Sequence, residues 1–318
     1  CDEKGIPHPH IISESGRSLV AHSSVLIFNV LGSNELRRKE MGLQEVKKQH
    51  PLVKDLFEIY TRLNLQNVNE SYNDLIEKKR DTHQLFTYGV LSLEQRAKAE
   101  DLYWAIATKI VDLTRGNEDH EEIYWALEQE LSDTYFCNFS VFQSLPDSWA
   151  LDQVFPVMPL HRLQEQPARR AILADLTCDS DGHLNQFLDV DESSVQNYLE
   201  VHPLLADDPY YMGVFLTGAY QEILGDLHNL FGDTNAVHVS LSESGYSLGH
   251  FVEGDAVKQV LNYVAYPKAE LLEKVRRATE TGINSGSLSK KEARLLLRNY
   301  EQGLSGYTYL TEDKGLDV

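Results

Sequence analysis

A block of about one hundred residues with helical periodicity, from Asn34 to about Asp133, stands between two strand-like stretches, and this order constrains the fold most. Before it lies "SSVLIFNVLGS" (Ser23 to Ser33), a short apolar, β-branched run that ends at glycine and reads as buried strand. After it, between Tyr135 and about Val252, come "FCNFSVF", "RRAILADLTC", "YYMGVFLTGAY", "AVHVSL" and "GHFVE", separated by Pro, Gly, Asp and Asn. Strands at that spacing suggest an antiparallel barrel or sandwich. Because strands flank the helical block on both sides, the block interrupts one β unit rather than separating two domains. The expected class is α+β.

Within the block, Leu52, Val53, Leu56, Phe57, Tyr60 and Leu63 would share one helix face. Ser92 and Gln95 fit a capping box ahead of a second stripe, Leu102, Ile106 and Ile110. "HEEIYWALEQEL" is a third amphipathic segment. After Gly254 the pattern is helical again, with Ser289 and Glu292 capping "KKEARLLLRNYEQG", which is expected to stop at Gly303. The opening "PHPHIISESGR" reads as a turn followed by a buried strand.

A length of 318 residues suits two or three structural units, and 42% apolar content suits a globular chain. The formal net charge of -20 makes nucleic acid and anionic membrane surfaces poor partners and favours cationic small molecules. Three cysteines, Cys1, Cys137 and Cys178, without paired spacing fit a reducing, cytoplasmic setting better than a disulfide framework. No apolar run is long enough to span a bilayer. The chain opens on Cys1 rather than methionine, which suggests an internal fragment or processed product, and a preceding stretch would have room for a targeting peptide.

Four segments hold residues that could carry chemistry. In "ADLTCDSDGHL" (Ala174 to Leu184), setting Gly182 at the sixth position of a calcium loop leaves Thr177 at the first and Leu188 at the twelfth, so essential oxygen ligands are missing. Zinc fails as well, since no second Cys or His lies at ligand spacing. What remains is either a reactive thiol at a strand end or an acidic surface turn with a half-buried cysteine. In "SESGR" (Ser13 to Arg17), Glu14 and Arg17 flank Gly16 and could hold opposite ends of a polar cofactor, or form a local ion pair. "LTGAYQEILGDLHNLFGDT" carries Tyr220, His228 and Asn229, on either a site or a plain helix with a tight cap. In "FSVFQSLPDSWALDQVFPVMPL", Asp147 and Asp152 sit among aromatics and prolines, which suits a pocket for an amphipathic cation; a cap for a short helix after Pro146 is the other explanation of Asp147.

Together, in this order, "PHPHIISESGR", "NFSVFQSLPDSWALDQVFPVMPLHRL", "CDSDG" and "GAYQEILGDLHNLFGDT" resemble the biosynthetic arginine decarboxylases, pyridoxal-phosphate enzymes of the alanine racemase and ornithine decarboxylase fold group. The resemblance runs from Cys1 to about Asp313. It implies a layout in which residues 1–24 end the cofactor-binding β/α barrel, with the last strand of an otherwise absent barrel. Residues 25–33 and 135–253 would then form the C-terminal β domain, 34–134 an inserted helical bundle, and 254–318 a C-terminal helical domain. It further implies that Glu14 meets the pyridine nitrogen, that Gly16 and Arg17 approach the cofactor phosphate, and that Tyr220 touches the same phosphate. Ser15 stands where ornithine decarboxylases have proline. A carboxylate beside the ring nitrogen keeps it protonated, so that the ring can accept the electron pair left when carbon dioxide departs. Cys178 resembles the cysteine that returns a proton, and Asp179 the acid that faces the substrate. In the family this cysteine loop reaches the partner subunit's cofactor, which implies an obligatory dimer. For the guanidinium of L-arginine, alignment with ornithine decarboxylases favours Asp152, within one position of their substrate aspartate, and holds Asp147 in reserve.

Pyridoxal chemistry also needs a Schiff-base lysine and a glycine-rich phosphate loop, and neither family motif occurs in this sequence. "EKKRD", "VKKQH" and "SKKEA" are helical charge runs. The expectation is therefore a chain that is catalytically dead alone and acts with an N-terminal barrel segment or chain that supplies the lysine. Magnesium is implied by the resemblance only, with no ligand set in this sequence. Decarboxylation of ornithine or lysine is the neighbouring alternative, and a regulatory paralogue paired with a full-length decarboxylase is the non-catalytic one.

Overall fold

Val25–Asn34 (β1) is the spine of the molecule, pairing antiparallel on one side with Asp133–Cys137 (β2) and on the other with Tyr210–Phe215 (β9). The computed structural model describes residues 1–35, 49–189, 195–206 and 208–311. The remaining strands are Val157–Pro159 (β3), Arg169–Ala174 (β4), His183–Leu184 (β5), Phe187–Leu188 (β6), Val195–Gln196 (β7), Leu199–Val201 (β8), Ala236–Ser242 (β10) and Gly245–Val252 (β11). Seven of these form one sheet in the order β3-β9-β1-β2-β4-β5, with β8 also on β4. Alternate residues point inward, as a strand's two-residue period requires, so Phe28, Val30, Tyr135, Cys137, Leu173, Met212 and Val214 share one core with Phe139 and Val201. Phe28 and Phe139 stack with centroids 4.3 Å apart. Burial of each large apolar side chain here contributes roughly 1.5–3 kcal/mol.

The sheet is not wholly antiparallel, which corrects the expected antiparallel barrel or sandwich. Strands β2 and β4 run parallel, with Asp133 opposite Ala171 and Phe136 opposite Ala174. A parallel pair needs a crossover of a dozen or more residues, and residues 138–168 supply it. They hold two short helices, Val141–Ser144 (α6) and Pro146–Leu151 (α7), and then β3.

The helices of the interrupting block are Pro51–Arg62 (α2), Val68–Thr87 (α3), Leu93–Thr114 (α4) and Glu121–Glu130 (α5). The predicted stripes meet at its centre. Leu52, Val53, Leu56 and Leu63 pack with Leu102, Ile106 and Ile110, while Phe57 and Tyr60 lie partly buried at the edge. Ser92 and Gln95 cap each other's backbone N–H at 3.3 Å, as the capping box requires. The block leaves the sheet at Asn34 and returns at Thr134, and these two residues pair across one rung of the β1–β2 ladder. Arg170 on β4 reaches back to the buried Glu128 on α5, so charge joins the bundle to the sheet, and within the sheet Arg169 of β4 pairs with Asp133 of β2 at 2.7 Å.

The chain's first segment departs from expectation. "PHPHIISESGR" forms no strand: an irregular stretch leads to the five-residue helix Gly16–Val20 (α1), and Ile11 and Ile12 are 89% and 92% exposed. No described strand of this chain lies beside it, and an extended backbone without a neighbour has nowhere to place its ladder hydrogen bonds. At the other end, Val257–Tyr263 (α8), Lys268–Asn284 (α9) and Lys290–Leu304 (α10) follow the β10–β11 hairpin. The Ser289 and Glu292 capping box forms at 3.2 and 2.8 Å, and α10 carries through Gly303 to end one residue later. The hairpin has one apolar face, with Val237, Val239 and Leu241 opposite Phe251, Leu248 and Tyr246, all exposed. Among the described residues, no helix is long and apolar enough to cross a membrane.

Candidate functional site

Two clusters gather the chemistry-bearing side chains, and the α6–α7 turn connects them. The first joins Arg17, Asp147, Tyr220 and Gln221. Pro146 opens α7 at its first position, where a missing N–H costs nothing, and this places Asp147 in the first turn, buried to 6% exposure. Its carboxylate does not cap the helix. It accepts a hydrogen bond from the Arg17 guanidinium at 2.7 Å and another from the Gln221 amide at 2.8 Å, while its own N–H donates to Gln221 Oε1 at 3.2 Å. Arg17 therefore pairs across 130 residues rather than with nearby Glu14. Its guanidinium lies 5.0 Å from the Tyr220 ring centroid, and a Cβ on Gly16 would sit 3.8 Å from the Tyr220 hydroxyl.

Tyr220 owes its position to an unusual loop. "LTGAYQEILGDLHNLFGDT" is a run of turns with one short 3-10 segment, His228–Leu230, rather than a helix with a tight cap. Leu216, Tyr220, Asn229 and Leu230 all have positive φ, at 64°, 71°, 53° and 61°. Non-glycine residues there cost of order 1–3 kcal/mol each and cluster at functional sites. Gly218 is required where the loop crosses α1, because any Cβ would collide with the Val20 carbonyl.

The second cluster is the cysteine loop. Buried Asp175 shapes it: one oxygen accepts from the Thr177 N–H and hydroxyl, each at 2.7 Å, and the other from the Val141 N–H at 2.8 Å. Burial nonetheless pushes the Asp175 carboxyl above its ordinary range. Gly182 closes the turn against Asp175, where a Cβ would clash. Cys178 is exposed, its N–H and thiol both facing Asn229 Oδ1, at 3.2 and 3.5 Å. Asp179 lies 3.4 Å from His228 Nε2, and the His228 ring packs on Phe142 of α6 with centroids 4.2 Å apart.

The predicted residues thus divide. Gly16, Arg17, Tyr220 and Asp147 come together, with Glu14 exposed two residues before Gly16. Cys178 and Asp179 form the second group. Asp152 joins neither: it is exposed at the C-cap of α7 with left-handed backbone, φ 53°. Two residues were not foreseen. Asp175, two before Thr177, carries the Asx-turn signature and was legible in principle, whereas Gln221 gives no local signal because its partner lies 74 residues away. Among the described residues, no three His, Cys, Asp or Glu side chains gather as a metal ion would need.

The arginine decarboxylase helical bundle domain matches residues 46–128, and the arginine decarboxylase C-terminal helical extension matches residues 257–310. A biosynthetic arginine decarboxylase of Gloeobacter violaceus is 48% identical over 323 residues, covering 100% of this chain. The chain belongs to the arginine decarboxylase family. Biosynthetic arginine decarboxylases of Thermosynechococcus vestitus and Phocaeicola vulgatus are 48% and 46% identical over 98% and 97% of it. The crystal structure of the biosynthetic arginine decarboxylase of Campylobacter jejuni superimposes on 95% of the chain with a TM-score of 0.75 at 30% identity. The chain spans about half the length of the family members it matches, 50%, 48% and 47% of these sequences and that structure in the cases of Gloeobacter, Thermosynechococcus and Campylobacter.

Proposed function

We propose that this chain is the C-terminal part of a pyridoxal-phosphate-dependent decarboxylase that converts arginine to agmatine and carbon dioxide, acting with a lysine-bearing N-terminal barrel. The observation that carries the reading is the convergence of Arg17 and Tyr220 beside a buried carboxylate, in a chain related over its length to named arginine decarboxylases. The donor set fits the group. Arg17 and the Tyr220 hydroxyl suit a phosphate, and Glu14, two residues before Gly16, can turn its exposed carboxylate toward a ring nitrogen. Pyridoxal phosphate, when bound, supplies the electron sink for the pair that decarboxylation leaves behind. Asp147 and Gln221 hold the Arg17 side chain in one orientation, so that its remaining N–H groups are ready for an anion without further ordering cost.

Cys178 holds the proton to be returned after carbon dioxide leaves, and Asn229 fixes its loop. Asp179 faces the cationic substrate. With Asp147 committed to Arg17, the exposed Asp152 is the carboxylate left free for the guanidinium. The exposure of Cys178 supports a thiol that serves a second subunit's cofactor. The uncovered apolar face of the β10–β11 hairpin and the exposed Ile11 and Ile12 support a further covering segment, because a lone two-stranded hairpin is marginal in water.

Release of labelled carbon dioxide from arginine tests the reading. The 318-residue chain alone should release none, and adding a lysine-bearing N-terminal chain of the family should restore release, with ornithine and lysine poor substitutes. Release by the chain alone would overturn the two-part reading. Preference for ornithine or lysine in the reconstituted pair would overturn the substrate assignment.

A further inference from the structure

The β10–β11 hairpin has a second face, opposite its apolar one, and two histidines meet there. On β10, Val237, Val239 and Leu241 alternate with His238, Ser240 and Ser242, so the histidine and the serines turn the other way. The ring of His238 lies 5.1 Å from that of His250, centroid to centroid, with the planes inclined at 63°. Both residues are exposed, and neither ring has a hydrogen bond or ion pair among the described residues.

The backbone is bent where these rings come together. Val237 pairs with Phe251 and His238 with Gly249, which leaves His250 as the extra residue of a β-bulge, a device that re-aims a side chain. His250 has left-handed backbone, φ 52°, a conformation that costs a non-glycine residue about 1–3 kcal/mol and clusters at functional sites. That cost is large for a lone two-stranded hairpin, which is marginal in water. Beside the rings there is room. Gly249, opposite His238, has no side chain, and a Cβ there would meet nothing within 4 Å.

We propose that His238 and His250 form a two-imidazole clip for a divalent transition metal such as zinc. Zinc–nitrogen bonds are about 2.0–2.1 Å in a tetrahedral shell, and two imidazoles held in that way have ring centres roughly 5 Å apart. The observed 5.1 Å matches this spacing. Imidazole suits zinc, copper and nickel, whereas magnesium selects oxygen ligands. Two side chains are fewer than the three of a catalytic zinc site, so water fills the remaining positions and the ion exchanges. Bound, it ties β10 to β11 across the bulge, offsets the strain at His250 and keeps the apolar face formed on the other side of the hairpin. The clip rests on the hairpin alone, and the decarboxylase reading could fail without touching it.

Zinc titration by calorimetry, followed by hydrogen exchange read by mass spectrometry, is the test. The exposed Cys1 and Cys178 are alkylated beforehand so that their thiols do not compete. A ligand at ten times its dissociation constant slows exchange through local opening about tenfold. Zinc at that level should therefore slow peptides from residues 236–252 by about that factor, and magnesium at the same concentration should leave them unchanged. His250→Asn removes the imidazole but keeps a residue that tolerates left-handed backbone, and His238→Thr keeps a strand former. Each should weaken zinc binding by about tenfold or more and abolish the protection; both positions are exposed, so an unchanged circular dichroism spectrum and Tm are expected. Absence of saturable zinc binding, zinc binding that leaves the hairpin unprotected, equal protection by magnesium, or full protection in either variant would each overturn the proposal.

Discussion

Replacing Asp147 by asparagine isolates the contact on which the first cluster depends. The carboxylate is buried, and it accepts from Arg17 at 2.7 Å and from Gln221 at 2.8 Å. Both donors meet the same oxygen, Oδ2, so asparagine can keep that acceptor in place but removes the charge that strengthens the Arg17 bond. Breaking a buried ion pair costs about 3–5 kcal/mol when both partners are desolvated. The Arg17 side chain is 38% exposed, so water recovers part of that, and a charge-assisted hydrogen bond of about 1.5–3 kcal/mol is the better guide. The expected loss is about 2 kcal/mol, or a fall in Tm of roughly 4–8 °C for a unit of this size. Arg17→Gln and the double variant complete a cycle, and urea unfolding of all four chains should give a coupling energy of about 1–2 kcal/mol. Additivity within about 0.3 kcal/mol would refute the claim that Asp147 acts by holding Arg17.

Further outcomes follow from the cysteine loop and the carboxyls packed near it. Among the three cysteines, Cys137 is fully buried and burial pushes its thiol well up, so iodoacetamide should label Cys1 and Cys178 in the folded chain and reach Cys137 only after unfolding. Mass spectrometry of the labelled peptides decides it. Asp175→Asn should lower stability by about 1–3 kcal/mol, since three donors converge on that carboxylate and an amide leaves one unmet; a chain as stable as the parent in urea would show that the loop does not depend on it. Asp233 is raised by burial and by the negative charge of Asp255, against the Gln143 hydrogen bond. A raised carboxyl favours its protonated form in the folded state, so its contribution is fully present below the unfolded pKa of about 3.9 and is lost as pH rises through the folded value. Asp233→Asn keeps the acceptor for Gln143 at 2.6 Å and removes the charge, so the variant should gain on the parent as pH rises through that window; parallel stability curves would contradict this.

What the sequence revealed was what depends on near neighbours. The stripes of α2 and α4 and both capping boxes were legible because a helix repeats within four residues, and the caps involve side chains three apart. The β runs were legible as strands, yet their directions were not. The parallel match of Asp133 with Ala171 is set by what the crossover can span, a property of thirty residues at once. "LTGAYQEILGDLHNL" has apolar spacing compatible with a helix, and it is kept from being one by tertiary crowding: Gly218 against α1 and Gly225 against the Gln143 carbonyl. Arg17 and Tyr220 could be singled out from their segments, whereas the pairing of Arg17 with Asp147 and the support from Gln221 exist only after residues 130 and 74 apart are brought together. "PHPHIISESGR" differs from the expected strand for the same reason in reverse, since its residue types permit a strand but no neighbour among the described residues receives it.

The rung shared by Asn34 and Thr134 has an evolutionary corollary. To the sheet, everything between those residues is a hairpin loop of unusual size, and a loop whose ends already touch can be lengthened, shortened or exchanged with little penalty in chain entropy. A gene could gain or shed the whole helical block at a single site while each strand kept its partners, provided that Arg170 found a new acid to face. The helices are thus free to acquire purposes of their own on a scaffold that need not change to accommodate them.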